Sequence, residues 1–192
     1  MIHSLLKNKK IILASASPRR REIFNLLGIK ALQEPAAIDE TIFTHNPRKL
    51  VKTHAQDKAK EVARKYGSEC LVVGSDTIVY HQDKILFKPQ DRYEAADFLC
   101  RLSNDYHYVY TGIAICYKNK VFTTYEKTKV EFKNLTAEEI EEYIKTGEPM
   151  DKAGAYGIQG YGSQFIRKLN GCYFNVMGFP ITKFYELLKE IL

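Results

Sequence analysis

The first candidate for chemistry is a basic cluster that directly follows a short apolar run. In the segment SASPRR, the hydroxyls of Ser15 and Ser17 precede the guanidinium groups of Arg19 and Arg20. The order Ser-Pro predicts a helix start, where free backbone N–H groups favour phosphate. Arginine at a helix N-terminus opposes the helix dipole, so the placement favours an anion-binding site. The alternative is a well-capped helix with a solvated basic first turn.

The second and third candidates are charged residues inside apolar patterns. Asp76 interrupts the apolar segment LVVGSDTIV, and a buried carboxylate must be paired, protonated or metal-bound. Lys58 falls on the apolar stripe of its predicted helix, between Val51 and Val62, where a cation needs an anionic partner. The alternatives are an Asp that hydrogen-bonds a neighbouring turn and a Lys whose amine reaches water at the edge of the core.

Two further segments could contact a ligand. Lys88 follows a predicted strand in Phe-Lys-Pro and could extend over a pocket. The stretch 149–162 carries four glycines within nine residues, which permits close backbone approach, and Gln159 within it could read a base edge. An irregular connection would have the same composition, and the sequence does not choose between the two.

Strands and helices that could position these residues alternate in the first half of the chain. Apolar runs predict strands at 11–14, 70–80, 85–87, 108–117 and 121–132. Capping signals predict helices at 18–27, 46–66 and 136–147, and apolar periodicity predicts helices at 91–102 and 180–192. Asn170-Gly171 predicts a hairpin between strands 164–169 and 172–177. This order predicts an α/β fold with a mixed sheet in one domain, residues 1–192.

Composition excludes several classes of protein. The chain has 192 residues and a formal net charge of +6, which favours anionic partners. No apolar run approaches the roughly 20 residues needed to cross a bilayer, and the first ten residues lack the apolar region of a signal peptide. The four cysteines lack CxxC spacing and are predicted to be small buried thiols, and the five histidines show no metal-ligand spacing. A membrane protein, a secreted disulfide scaffold and a disordered chain are therefore not expected.

Taken together, the motifs SASPRR, GSDTIV, FKP and DKAGAYGIQG resemble those of the Maf (septum formation) family of nucleoside triphosphate pyrophosphatases. The resemblance covers roughly residues 10–190. It implies hydrolysis of a nucleoside triphosphate to the monophosphate and pyrophosphate with a divalent cation, Mg²⁺ or Mn²⁺. It also implies a twisted, mixed sheet flanked by helices, with two lobes around a central cleft, as in inosine triphosphatase-like proteins.

The resemblance also implies roles for individual residues. Asp76 matches the proton acceptor, and Glu40 matches an acidic position near the metal, which Asp76 would share. Base choice falls to Arg19, Thr77 and Gln159, and the phosphate site to Ser15, Ser17, Arg20, Lys58 and Lys88. The residues SPRR, DT and GIQG resemble the dTTP/UTP-hydrolysing branch rather than the branch selective for 7-methyl-GTP. Ala16 and Ser75 stand where the family often has Gly and Ala.

Two other functions stay open at this stage. One is a purine-directed pyrophosphatase acting on inosine or xanthosine triphosphate. The other is a non-catalytic regulator of cell division that binds nucleotides or nucleic acid, although the basic residues are spread along the chain rather than gathered in one stripe. The expected partner is a nucleoside triphosphate, with no stable nucleic-acid partner and no membrane. A homodimer is implied by the resemblance, and a cytoplasmic location is expected.

Overall fold

The computed structural model describes residues 1–41 and 44–192, and within them the chain forms one mixed sheet. The spatial order is β2-β1-β3-β5-β6-β7, with β4 paired to β3. Strands β2, β1 and β3 run parallel, and the other pairings are antiparallel. The strands are β1 (Ile11–Ala14), β2 (Ala31–Gln33), β3 (Leu71–His81), β4 (Lys84–Leu86), β5 (Tyr106–Tyr117), β6 (Lys120–Phe132) and β7 (Ile166–Asn170). The predicted α/β fold with a mixed, twisted sheet is confirmed.

Helices pack on both faces of this sheet. Helix α3 covers one face, where its Ala55 and Ala59 pack against Val72 and Ala114. Helices α2 and α7 cover the other face, and Phe24 and Phe184 lie there in a second apolar cluster. The helices are α1 (Ile2–Leu6), α2 (Pro18–Leu26), α3 (Pro47–Ala63), α4 (Arg92–Leu102), α5 (Ala137–Lys145), α6 (Tyr173–Met177) and α7 (Ile181–Ile191). A further apolar cluster joins α4 and α5 to the distal ends of the long strands.

Local capping chemistry explains where these helices begin. The Asn46 side chain accepts hydrogen bonds from the first turn of α3, and Asp91 does the same for α4. Thr136 and Glu139 form the reciprocal capping box at the start of α5. Ser17 occupies the cap position of α2 without a side-chain cap bond, and Gly28 follows that helix with a φ of 63°. The predicted helices at 18–27, 46–66, 91–102 and 136–147 are confirmed to within a few residues at their ends.

The predicted hairpin at Asn170-Gly171 is wrong. Only the first arm is a strand, β7, and residues 173–177 form helix α6 instead of a second strand. After Gly171 the chain crosses back over β6, where the Thr128 hydroxyl donates to the Cys172 carbonyl and accepts from the Cys172 N–H. Gly178, with a φ of 108°, then ends α6.

The prediction of four buried thiols is also wrong in part. Cys116 is buried, Cys70 and Cys172 are half-buried, and Cys100 is exposed on α4. The apolar neighbours of Cys100 in sequence face the core, while Cys100 itself falls on the opposite side of the helix. Within residues 1–41 and 44–192, no helix is both long enough and apolar enough to cross a bilayer.

The sheet leaves part of one strand edge open. Strand β1 ends at Ala14, opposite Gly74 of β3, and β4 pairs with β3 only from Val79 onward. Among the described residues, no strand pairs with positions 75–78 on this side. Side chains on both faces of β3 can therefore reach one space beside this open edge.

Candidate active site

A cavity of about 560 Å³ lies at the open edge of β3. The basic first turn of α2, the buried face of α3 and the segment 151–158 contribute to its wall. The cavity brings together nine of the ten residues singled out from the sequence: Ser15, Ser17, Arg19, Arg20, Glu40, Lys58, Asp76, Thr77 and Lys88. Residues scattered over more than seventy positions of the chain thus share one space.

Arg20 is folded into the protein at the floor of the cavity. Its guanidinium donates to the Gly178 carbonyl at 2.8 Å, to the Ser15 hydroxyl at 3.1 Å and to the Thr77 hydroxyl at 3.0 Å. Burial lowers the pKa of Arg20 from 12.5 to about 10, against the opposing effect of Asp76, so the group stays charged at neutral pH. Three bonds leave part of its five-donor capacity for a ligand.

The adjacent arginines point in different directions. Arg19 lines the cavity, and its guanidinium lies 3.3 Å from the Asp151 carboxylate. Arg21 is exposed. A helix turns by about 100° per residue, so three consecutive arginines cannot all face one ligand. The Arg19–Asp151 contact joins the start of α2 to the opposite wall.

Asp76 and Lys58 form a buried ion pair at the centre of the site. The Lys58 ammonium lies 2.6 Å from Asp76 Oδ1 and 2.7 Å from Glu40 Oε1. The side chains of Asp76 and Lys58 are 7% and 10% exposed, whereas that of Glu40 is 41% exposed. The inner-face position predicted for Lys58 is confirmed, and its anionic partners are these two carboxylates.

His54, one helical turn before Lys58, contacts the other oxygen of Asp76. Its Nδ1 lies 3.1 Å from Asp76 Oδ2, and its Nε2 lies 3.0 Å from the Thr41 carbonyl oxygen. Burial acts to raise the pKa of Asp76, but the hydrogen bonds and charges of His54 and Lys58 outweigh it and hold the pKa at about 2. Burial likewise acts to lower the pKa of His54, but the contact with Asp76 raises it above 6.5.

The far wall of the cavity is apolar. Val79 and Val109 are paired neighbours on β3 and β5, and they line the cavity with Tyr156 and Val176. Val79 lies on the same face of β3 as Thr77, two residues further on. The cavity therefore joins a polar, cationic end to an apolar end of the kind that accepts a planar ring.

Gln159 is the predicted site residue that the structure does not bring to the cavity. It is exposed, and its neighbours Gly157 and Ile158 line the wall instead. The glycine-rich stretch forms three short 3₁₀ turns, at Glu148–Asp151, Ala153–Ala155 and Gly160–Phe165. Lys88 does line the cavity, and its side chain is exposed at the rim.

Glu40 and Asp76 fit a divalent cation. Each directs one carboxylate oxygen to the same point, now taken by the Lys58 ammonium. Hard oxygen ligands of this kind suit Mg²⁺ or Mn²⁺, which bind through one or two carboxylates with phosphate oxygens and waters. Within residues 1–41 and 44–192, no group of three or more His, Cys, Asp or Glu side chains is placed to hold a metal, so ligand oxygens would have to complete the shell.

Sequence reasoning missed His54 and the apolar wall. His54 has no metal-ligand spacing, but it lies four residues before Lys58 and therefore on the same helix face. That spacing was a readable signal. The sequence contains no such signal for Tyr156 and Val176, because packing alone decides which apolar residues line a cavity.

Fold and site together define a class of α/β proteins that bind a phosphorylated ligand with an apolar group, next to a buried carboxylate. The chain belongs to the Maf-like protein family, whose model matches residues 10–191. A dTTP/UTP pyrophosphatase of Aquifex aeolicus is 41% identical over 95% of both chains. Another of Bacillus cereus is 46% identical over 95% of this chain and 90% of its own.

A solved structure shows the same fold at low sequence identity. The Ham1 protein of Staphylococcus aureus superposes with a TM-score of 0.51 and 14% identity, covering 82% of this chain and 80% of that chain. This likeness concerns the fold alone.

Proposed function

We propose that this protein is a nucleoside triphosphate pyrophosphatase that hydrolyses dTTP and UTP to the monophosphate and pyrophosphate. Relatives that are 41% and 46% identical over nearly the whole chain carry that name. The observation that carries the proposal is the buried Asp76 carboxylate, 2.6 Å from the Lys58 ammonium, in a cavity with a cationic end and an apolar end.

The cationic end binds the triphosphate. The free N–H groups at the start of α2, the Ser15 and Ser17 hydroxyls and the remaining donors of Arg20 face this end of the cavity. Lys88 approaches from the rim. The apolar wall packs against the base, and Arg19 and Thr77, which line the cavity, contribute to base choice. Gln159 does not line the cavity, and its role in base choice stays a prediction. The Thr77 hydroxyl is fixed for that role by its 3.0 Å contacts with Arg20 and Thr111.

Asp76 accepts the proton of the attacking water. The water oxygen bonds to the α-phosphorus, the bond between that phosphorus and the α,β-bridging oxygen breaks, and pyrophosphate leaves with the bridging oxygen. A divalent cation, Mg²⁺ or Mn²⁺, held by Glu40 and Asp76, would neutralise phosphate charge and lower the pKa of a water ligand. When Lys58 turns to the triphosphate, the Asp76 oxygen that it contacts becomes available to the cation or to the water.

The nucleoside triphosphate is the one partner for which the site offers support. The homodimer, the cytoplasmic location and the absence of a stable nucleic-acid partner stay predictions.

The test is pyrophosphate release from a panel of triphosphates, with Mg²⁺, with Mn²⁺ and with neither. We expect the fastest release from dTTP and UTP and little release without metal. Faster turnover of inosine triphosphate than of dTTP would overturn the base assignment. Salt-dependent duplex binding without pyrophosphate release would overturn the enzymatic proposal.

A further inference from the structure

We infer that His54 is a positioning residue. It holds the Asp76 carboxylate in a fixed position relative to the segment that carries Glu40, so that both carboxylates are aligned for a divalent cation and a triphosphate. This inference rests on the proposed function and assigns a role to a residue that the sequence motifs do not include.

The first observation is that the His54 ring bridges two parts of the site. His54 is 2% exposed. Its Nδ1 meets Asp76 Oδ2 at 3.1 Å, and its Nε2 meets the carbonyl oxygen of Thr41, the residue after Glu40, at 3.0 Å. The imidazole therefore ties the centre of β3 to the loop that carries the second carboxylate.

The second observation is that Lys58 repeats this bridge one turn later. Its ammonium contacts both Asp76 Oδ1 and Glu40 Oε1, at 2.6 and 2.7 Å. Residues four apart on a helix lie side by side, so α3 presents two bridging side chains to the same pair of segments. Each oxygen of Asp76 has its own partner, and the carboxylate cannot rotate without breaking one of these contacts.

The two bridges differ in what a ligand would do to them. Lys58 is the cation that a triphosphate would attract, and its place between the carboxylates is the place that a divalent cation would take. His54 does not line the cavity and also contacts a backbone carbonyl, so a ligand has no reason to displace it. Once Lys58 has moved, His54 is the side chain that keeps Asp76 aligned with residues 40–41.

Packing alone does not account for His54. Both ring nitrogens face oxygen acceptors, and a leucine would fill a similar volume while leaving Asp76 Oδ2 and the Thr41 carbonyl without these partners. Residues that orient metal-binding carboxylates or histidines typically change metal affinity or activity by about 10- to 100-fold when removed.

The test compares His54→Leu with the unmodified protein in Mn²⁺ binding and in turnover. Mn²⁺ is titrated into the protein with α,β-imido-dUTP, which cannot be cleaved, and bound metal is followed by electron paramagnetic resonance. We expect Mn²⁺ affinity and kcat for dTTP each to fall by about 10- to 100-fold, with a smaller change in KM.

Two variants separate the two contacts and guard against a leucine variant that does not fold. In His54→Asn the amide nitrogen takes the place of Nδ1 and keeps the Asp76 contact, and in His54→Gln it takes the place of Nε2 and keeps the Thr41 contact. We expect both variants to bind Mn²⁺ more weakly than the unmodified protein does. If His54→Leu folds, both should bind Mn²⁺ more tightly than His54→Leu does.

The matched control is His81→Leu. His81 is also buried and pairs with a carboxylate, Asp105 at 2.9 Å, but it lies outside the cavity. Equal losses in His81→Leu and His54→Leu would overturn the inference, as would Mn²⁺ affinity and kcat within about twofold of the unmodified protein in a folded His54 variant. Failure of the unmodified protein to release pyrophosphate would instead count against the proposed function, while the Mn²⁺ titration would still test His54.

Discussion

At Asp76, two opposing effects act on one carboxylate. Burial favours the protonated acid, whereas His54 and Lys58 favour the ionised form and prevail. The result is a carboxylate that stays charged in a buried position because cationic neighbours surround it. The contact of His54 with the other carboxylate oxygen would remain when a ligand draws Lys58 away.

Replacing Asp76 with Asn removes the charge while keeping the shape. We expect kcat for dTTP to fall by about 10²- to 10⁴-fold, the usual contribution of a general base, because the amide cannot accept the proton. Pyrophosphate release measures the loss, and an unchanged circular dichroism spectrum serves as the control for folding. Near-normal turnover would contradict both roles given to Asp76.

His107 is a buried histidine outside the proposed chemistry, and it predicts a pH dependence of stability. Burial lowers its pKa from 6.5 to about 3. Below pH 6.5 the unfolded chain therefore binds a proton that the folded chain excludes, and the free energy of unfolding drops by about 1.4 kcal/mol per pH unit.

The variant His107→Gln tests this dependence. Gln can still bond to the Tyr156 hydroxyl, which lies 2.6 Å from His107 Nε2, but it does not titrate. Between pH 7 and pH 5, the unmodified protein should lose about 2 kcal/mol more stability than the variant. Urea unfolding at the two pH values measures the difference, and parallel losses in both proteins would contradict the assignment.

At the residue scale, the sequence predicted the chemistry of most site residues because misfits are visible in a pattern. Asp76 in a strand and Lys58 on an apolar stripe are both charged residues that interrupt an apolar pattern. His54 does not stand out from its pattern in this way, since a histidine on an inner helix face is common in cores. Gln159 was predicted from its motif, but only the path of the backbone decides whether it reaches the cavity.

Among the elements, α3 depends on two glycines for its distance from the sheet. A Cβ on Gly74 would lie 2.2 Å from the Ala55 carbonyl oxygen, and a Cβ on Gly112 would lie 2.2 Å from that of Val51. Only glycine at these strand positions lets the helix backbone approach so closely. This close approach brings His54 and Lys58 within hydrogen-bonding distance of Asp76.

Adding a methyl group at Gly74 should push α3 away from the sheet. We expect Gly74→Ala to lower the free energy of unfolding by about 1–3 kcal/mol and to reduce kcat, because both partners of Asp76 are on the displaced helix. The matched control is Gly67→Ala, where an added Cβ meets nothing within 4 Å. Thermal unfolding and pyrophosphate release check both variants, and equal stability of the two would refute the spacing argument.

Elements with local signals were predicted well, and α6 shows why others were not. Tyr173, Phe174 and Val176 favour a strand. The fold overrides this preference, because Asn175 donates to the Val109 carbonyl and to the Thr128 hydroxyl from a helical turn. Those partners lie more than forty residues away, and no local pattern could reveal them.

At the scale of the whole molecule, the chain carries a net charge of +6, and the side chains that line the cavity carry a net positive charge as well. Five basic side chains line it, against three acidic ones: Arg19, Arg20, Lys58, Lys88 and Lys152, against Glu40, Asp76 and Asp151. A triphosphate that approaches from solvent is therefore attracted to the cavity, and dissolved salt weakens this attraction.

This attraction predicts a salt dependence of the reaction. Between about 50 and 500 mM NaCl, kcat/KM for dTTP should fall by roughly tenfold. Lys88→Gln should flatten that dependence, whereas Lys189→Gln, which removes the same charge from the exposed face of α7, should not. Steady-state kinetics over a series of salt concentrations measures both variants. Equal dependence of kcat/KM on salt in the two variants would contradict a particular role of charge at the rim.

The three long strands β3, β5 and β6 run through more than one apolar cluster. Val73 and Ile113 belong to the cluster with α2 and α7, whereas Val79, Val109 and Val130 belong to the one with α4 and α5. The two sides of the cavity are thus joined by continuous strands rather than by a hinge. Because a continuous strand bends less easily than a loop, we expect the two walls to keep their spacing when a ligand enters, and the side chains at the rim to make most of the adjustment.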